Sequence, residues 1–300
     1  MGAAWPSPGE KSRQAAGRDR GASASRRSGA SGVDVGLATA RLHSPRSLVP
    51  TDDWTFRPTV LVRRGTSQGS GTIIASVDAE SLVLTAAHVI RDTGPISVEL
   101  HRYNLGLERT RGIAGPWPQP ITARLAAADT AADLAVLRIE GLEPLPYVAR
   151  LASPRRHPAI DSTVTSIGID LGTRLSGWSS RLVEVLWFEL NDSRDERLFF
   201  LTARTPEYGR SGGGLFLPDG ELVGVCVGHA ELVRGHRLGV FASRESIHQL
   251  LTENGLDAVV ERSELRQSRL ARRLGRNGPR PYVTPWPAIE PENGGSETRN

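Results

Sequence analysis

The chain reads as an all-β domain of sandwich or barrel type, set between two polar tails. Three observations carry that reading. From about Asp53 to Leu256, apolar or alternating runs of five to eight residues are separated by turn residues, the texture of short strands in a closed or layered sheet. Before Ser243 no 3.6-residue apolar period interrupts the series, which argues against a parallel sheet with helical crossovers. The flanks, residues 1–50 and 259–300, are rich in Arg, Ser, Gly and Pro, a composition that buries little and stays disordered.

Taken in order, the first half of the series holds "TVLVR" (59–63), "GTIIAS" (71–76), "SLVLTA" (81–86), "ISVEL" (96–100), "ITARL" (121–125) and "LAVLRI" (134–139). The second holds "TVTSIG" (163–168), "RLVEVLWFEL" (181–190), "RLFFLTA" (197–203), "ELVGVCVG" (221–228) and "RLGVFAS" (237–243). A long loop, residues 101–120, separates two of the strands. One helix stands out, "SRESIHQLLTENG": Ser243 caps it, Ile247, Leu250 and Leu251 form one apolar face, and Gly255 ends it. The next stretch, "VERSELRQSRLARRLG", is a weaker basic amphipathic pattern.

Bulk properties exclude several functions. The single cysteine, Cys226, rules out an internal disulfide and a cysteine-based zinc cluster. Lying in an apolar run, it reads as a buried, inert thiol. The formal charge of +4 comes from the ends: the segment 51–260 holds 21 basic and 25 acidic residues. A basic nucleic-acid-binding surface is therefore not expected of the folded part, and binding by the tails is not expected as the main function. No apolar run approaches the roughly 18 residues that span a bilayer. The first fifty residues lack the apolar core of a signal peptide, which points to the cytoplasm.

Three stretches carry chemistry: "LVLTAAHVIRD" with His88, "TAADLAVLRIE" with Asp133, and "EYGRSGGGLF" with Ser211. Singly, each has a bland reading as a core histidine, a turn carboxylate and a hairpin serine. Together they are ordered His, Asp, Ser, which is the order of the trypsin-like peptidases and not of subtilisin or the α/β-hydrolases. The chain resembles that family over about residues 60–256, and most resembles its HtrA/Deg-type branch. "GSGTII" before "LVLTAAHVI", "ADLAVLRIE", "SIGIDLG" and "LFLPDGELVGV" are similar to that branch's segments around its histidine, aspartate, second barrel and nucleophile.

The resemblance implies two antiparallel six-stranded β-barrels with the active site between them. Barrel one would span about 54–140 and supply His88 and Asp133. Barrel two would span about 158–243 and supply Ser211, and helix 243–255 would close a peptidase domain at 51–258. Ser211 would be the nucleophile, His88 the general base, and Asp133 the group that orients the imidazole. Asp133 is preferred over Asp129 because "LAVL" follows it, as in the family pattern. The N–H groups of Gly209 and Ser211 would form the oxyanion hole. Thr205 would lie near the base of the specificity pocket and, offering no carboxylate, would suit small or medium apolar side chains. Val227 and Gly228, within "VCVGH" (225–229), would line the substrate backbone. The implied partners are protein or peptide substrates, with no cofactor and no metal.

Two positions depart from the family. Arg210 stands where secreted trypsins keep an aspartate that pairs with a newly cut N-terminus, so that activation route is closed. A bulky cation there must find solvent or a carboxylate. Gly214 replaces the usual proline and is expected to loosen the following turn. The 44 residues beyond Leu256 are too few for the PDZ module that many relatives carry. The alternative reading is a catalytically silent trypsin-like domain that binds peptides or serves as a scaffold.

Overall fold

In the computed structural model, residues 54–107, 116–190, 193–231 and 237–273 are described. The expected N-terminal tail (1–50), the middle of the 101–120 loop and residues 274–300 of the C-terminal tail lie outside the described residues.

The first six strands are β1 (Thr59–Arg64), β2 (Ser67–Val77), β3 (Glu80–Ala86), β4 (Ile96–Leu100), β5 (Gln119–Asp129) and β6 (Leu134–Glu140). They close an antiparallel barrel in the order β1-β2-β3-β6-β5-β4. The β3–β6 pairing runs without a break from Glu80↔Glu140 to Ala86↔Leu134. The turn that follows β3 and holds His88 therefore lies beside Asp133, the residue that precedes β6, although 45 positions separate the two.

The second half contributes β7 (Arg150–Leu151), β8 (Thr163–Asp170), β9 (Arg174–Glu189), β10 (Glu196–Thr202), β11 (Gly214–Phe216), β12 (Glu221–Glu231) and β13 (Arg237–Ser243). The sheet order is β11-β8-β9-β10-β13-β12-β7, and β11 also pairs with β12. That extra pairing joins six antiparallel strands into a ring, and the two-residue β7 adds to β12 in parallel. The expected pair of barrels is present, with a seventh strand too short to read as a run.

The apolar runs are continuous because several strands are buried on both faces, and side chains alternate across a strand with period two. In β3, Val83 faces the barrel-one interior while Leu82 and Leu84 join the layer shared between the barrels and the C-terminal helices. In β10, Phe200 points into barrel two while Phe199 and Leu201 enter the shared layer. In β13, Phe241 and Val240 divide in the same way.

The helix α1 (Arg244–Glu253) forms as expected, with the Ser243 hydroxyl accepting from Ser246 N–H and Ile247, Leu250 and Leu251 buried. A second helix, α2 (Asp257–Arg273), follows. It corrects the expected domain end at residue 258 and part of the expected disordered tail. Val259 and Val260 are buried, and the Ser263 hydroxyl accepts the Ser76 N–H at 2.8 Å, which ties α2 to β2. The apolar stripe is short, so the tertiary contact rather than the pattern holds this helix.

Candidate active site

His88 lies in the 3₁₀ turn Ala87–Ile90 that follows β3, and Asp133 is the last residue of the turn that leads into β6. Asp133 is fully buried and adopts a left-handed backbone conformation, φ 53°, which aspartate tolerates better than most residues. Both of its carboxylate oxygens serve His88. Oδ1 accepts the His88 N–H at 2.8 Å, and Oδ2 accepts from ring Nδ1 at 2.5 Å. The Ala87 N–H donates to the Asp133 carbonyl at 2.9 Å, so the two turns are joined at main chain as well. With Nδ1 committed to the carboxylate, a neutral imidazole has Nε2 as its proton acceptor.

Asp129, the other candidate, does something else. Its Oδ1 accepts the N–H groups of Ala131 and Ala132 at 2.9 and 3.1 Å, and its Oδ2 meets Arg197 Nε at 2.9 Å. It shapes the turn that delivers Asp133 and links that turn to β10.

Ser211 sits in the turn before β11, and its main chain is lodged against barrel one. The Ser70 N–H donates to the Ser211 carbonyl at 2.7 Å. A Cβ on Gly69 would come within 2.7 Å of that carbonyl and 2.5 Å of a Val89 methyl, so Gly69 leaves the room that the Ser211 main chain and the residue after His88 both border. Gly209 adopts φ 89°, with Leu171 N and Ile169 O within 2.9 Å of where its Cβ would stand. Neither conformation nor space admits a side chain there. Among the described residues, the N–H groups of Gly209 and Ser211 have no acceptor, and the Ser211 hydroxyl makes no hydrogen bond, to His88 Nε2 or to any other group.

Arg210 finds its carboxylate. The side chain is wholly buried, and its Nε and Nη2 meet Asp170 Oδ1 and Oδ2 at 2.9 and 2.7 Å, a two-pronged pair with a residue that is itself buried. Nη1 donates to the Ser166 carbonyl at 3.1 Å, Nη2 also reaches the Ser176 hydroxyl, and the guanidinium carbon stands 5.3 Å from the Trp178 ring centre. Gly168 makes room: a Cβ there would lie 2.9 Å from Arg210 Cγ. Gly214 leaves no room for a side chain. A Cβ on it would approach Phe216 Cζ to 2.6 Å and Leu222 Cδ1 to 2.8 Å. The absent side chain admits the packing of these two residues in place of a stiff turn.

A model of the trypsin-like peptidase domain matches residues 69–225, a little over half of the 300-residue chain. The chain belongs to the trypsin-like peptidase family. This peptidase-family chain is 28% identical over 173 residues to the mitochondrial serine protease HTRA2 of Bos taurus, a match that covers 53% of this chain and 31% of that protein. It thus spans about a third of the length of that relative. Among solved structures, the Rv3671c protease of M. tuberculosis in its active form superposes with a TM-score of 0.53 at 19% identity, over 67% of this chain and 82% of that one. The serine endoprotease of Yersinia pestis superposes with a TM-score of 0.50 at 22% identity, over 67% of this chain and 63% of that one. These two likenesses concern the fold, and HTRA2 represents the branch whose segments the sequence resembles.

The remaining residues of interest fall along β12 and β13. Thr205 donates its hydroxyl to the Arg237 carbonyl at 3.2 Å and stays partly exposed. Val227 is skipped by the β12–β13 register, which passes from Cys226↔Phe241 to Gly228↔Val240, and Gly228 borders open space. Cys226 is fully buried, and desolvation pushes its thiol up to about 12. It is inert at neutral pH, as its surroundings in the sequence imply. No group of three or more His, Cys, Asp or Glu side chains suited to hold a metal gathers among the described residues.

Proposed function

We propose that this family member is a serine endopeptidase that hydrolyses peptide bonds in proteins through Ser211, His88 and Asp133. The observation that carries the reading is the His88–Asp133 contact, made by both carboxylate oxygens, together with the hydrogen bond that joins the Ser211 carbonyl to Ser70 of barrel one. Serine is a weak nucleophile until a base takes its proton. His88 Nε2 removes the Ser211 hydroxyl proton as Oγ bonds to the substrate carbonyl carbon. Asp133 holds the ring tautomer and stabilises the imidazolium. The negative charge that develops on the carbonyl oxygen is met by the N–H groups of Gly209 and Ser211, each donor being worth ~10²–10³ in rate. Collapse breaks the C–N bond, and the amine leaves with the proton from His88. Water then attacks the acyl carbon as His88 takes its proton, the C–Oγ bond breaks, His88 returns the proton to Ser211 Oγ, and the carboxylic acid leaves.

Thr205 at the pocket base favours small or medium apolar side chains, and Val227 and Gly228 bind the substrate main chain. The silent-domain alternative is favoured by one observation, that the Ser211 hydroxyl has no hydrogen bond among the described residues; in enzymes without substrate such contacts are often long and tighten on binding. A fluorophosphonate probe separates the two. Its P–F bond breaks as Ser211 Oγ bonds to phosphorus, and fluoride leaves as the hydroxyl proton passes to His88. We expect labelling of the wild type and none of Ser211→Ala or His88→Ala, with cleavage of β-casein following the same pattern. A wild type that is neither labelled nor active on casein would leave only the silent domain.

A further inference from the structure

We propose that Asp170 is a positioning residue for the oxyanion hole: its buried pair with Arg210 holds the two N–H groups that flank Arg210 in their working directions. The inference rests on the serine-peptidase reading above. Arg210 lies between Gly209 and Ser211, so any movement of its Cα moves both donors.

A trans peptide is planar, and its C=O and N–H point in opposite directions. The carbonyl partner of each peptide therefore determines where the N–H aims. In the peptide before Gly209, the Tyr208 carbonyl accepts the Leu171 N–H at 2.8 Å, so the Gly209 N–H is directed away from Leu171. In the peptide before Ser211, the Arg210 carbonyl accepts the Gly213 N–H at 2.8 Å, which likewise turns the Ser211 N–H outward. The intervening Gly209 carbonyl accepts from the Ser70 hydroxyl at 2.9 Å, and that hydroxyl receives the Ile169 N–H at 2.8 Å.

Two of these bonds come from Ile169 and Leu171, the residues on either side of Asp170. Leu171 is itself held at φ 53°, a conformation costly for leucine unless its surroundings impose it. The Asp170–Arg210 pair joins the two segments side chain to side chain at the same place, with Asp170 and Arg210 2% and 0% exposed at their side chains. A two-pronged guanidinium–carboxylate contact defines orientation as well as distance. Segment 169–171 and segment 208–211 are thus one rigid piece, and the pair is its central bolt. No liberated chain terminus is needed to assemble it.

The test uses the full chain. Asp170→Asn leaves a buried guanidinium short of its anion and lowers the melting temperature, so the double variant Asp170→Asn/Arg210→Met, which buries no unpaired charge, is measured beside it. If the pair positions the donors, fluorophosphonate labelling of the double variant runs to the same endpoint as wild type but about 10²-fold more slowly. Its kcat on a fluorogenic casein peptide falls by a similar factor, with KM changed by less than about threefold. A merely structural pair would lower the endpoint, through a smaller folded fraction, and leave the rate unchanged. A double variant that labels and turns over within about threefold of wild type overturns the inference and leaves the peptidase reading intact. An unlabelled wild type overturns the peptidase reading, and the inference with it.

Discussion

Asp133 and Asp170 are the same residue in the same kind of place, a buried carboxylate beside a strand end, one on each barrel. Asp133 gives both oxygens to His88, a partner that carries charge only when protonated. Asp170 gives both oxygens to Arg210, a partner that is always charged. In the proposed mechanism the first partner takes up and returns a proton in each turnover. The second is a permanent cation, which the carboxylate neutralises. Burial by itself therefore says little about a carboxylate's role, and the titration behaviour of its partner says more.

That contrast can be broken in four ways, from the largest expected effect to the smallest. Asp133→Asn should lower kcat by ~10⁴, about 5.5 kcal/mol in barrier, because the amide favours the wrong imidazole tautomer. Steady-state kinetics check this, and the thermal melting curve should move little. Asp170→Asn should do the reverse in emphasis and destabilise the fold by about 3–5 kcal/mol in urea denaturation, since a buried guanidinium loses its anion. If the two variants showed equal stability losses, the distinction drawn between the partners would be wrong. A third aspartate, Asp129, has a partly exposed partner, Arg197, at 21%. Arg197→Gln should therefore cost about 1 kcal/mol or less, with kcat within about threefold of wild type, as urea midpoints and initial rates would show.

The exposed Asp92 completes the series. Its carboxyl is held below its ordinary 3.8 chiefly by the Thr66 N–H at 2.6 Å, then by the Thr93 N–H and the Thr66 hydroxyl. A depressed carboxyl contributes stability above its unfolded value that is lost as pH falls through its folded value. The gap between the melting temperatures of wild type and Asp92→Asn should therefore be largest above about pH 4 and close on further acidification. A gap that widened in acid would reverse the assigned cause.

Much of the fold was legible because each strand carries its own signal. Runs such as "ISVEL" and "RLGVFAS" became β4 and β13 with the expected bounds, and Ser243 capped α1. The two-residue β7 has no run to read. The pattern of α2 is weak because it buries little beyond Val259, Val260 and Ser263. At the site, residue type and chain order nominated His88, Asp133 and Ser211; the structure adds that Asp133 contacts His88 and Asp129 contacts Arg197. The sequence did not show that Gly214 leaves no room for a side chain, because the Phe216 ring and Leu222 beside it are placed by strand pairing.

Arg210 divides the two sources of information most clearly. Its position before Ser211 excluded a trypsin-style pairing with a new N-terminus, and its charge demanded a partner. Nothing local names Asp170, which lies 40 residues earlier in a stretch that reads as strand. The apolar runs, the Ser243 cap and the residue types at the site are local features, so the sequence alone determined them. Which distant charges meet depends on how the barrels close, and whether such a meeting stabilises depends on how completely closure removes water. Only the tertiary structure decided that Arg210 pairs with Asp170.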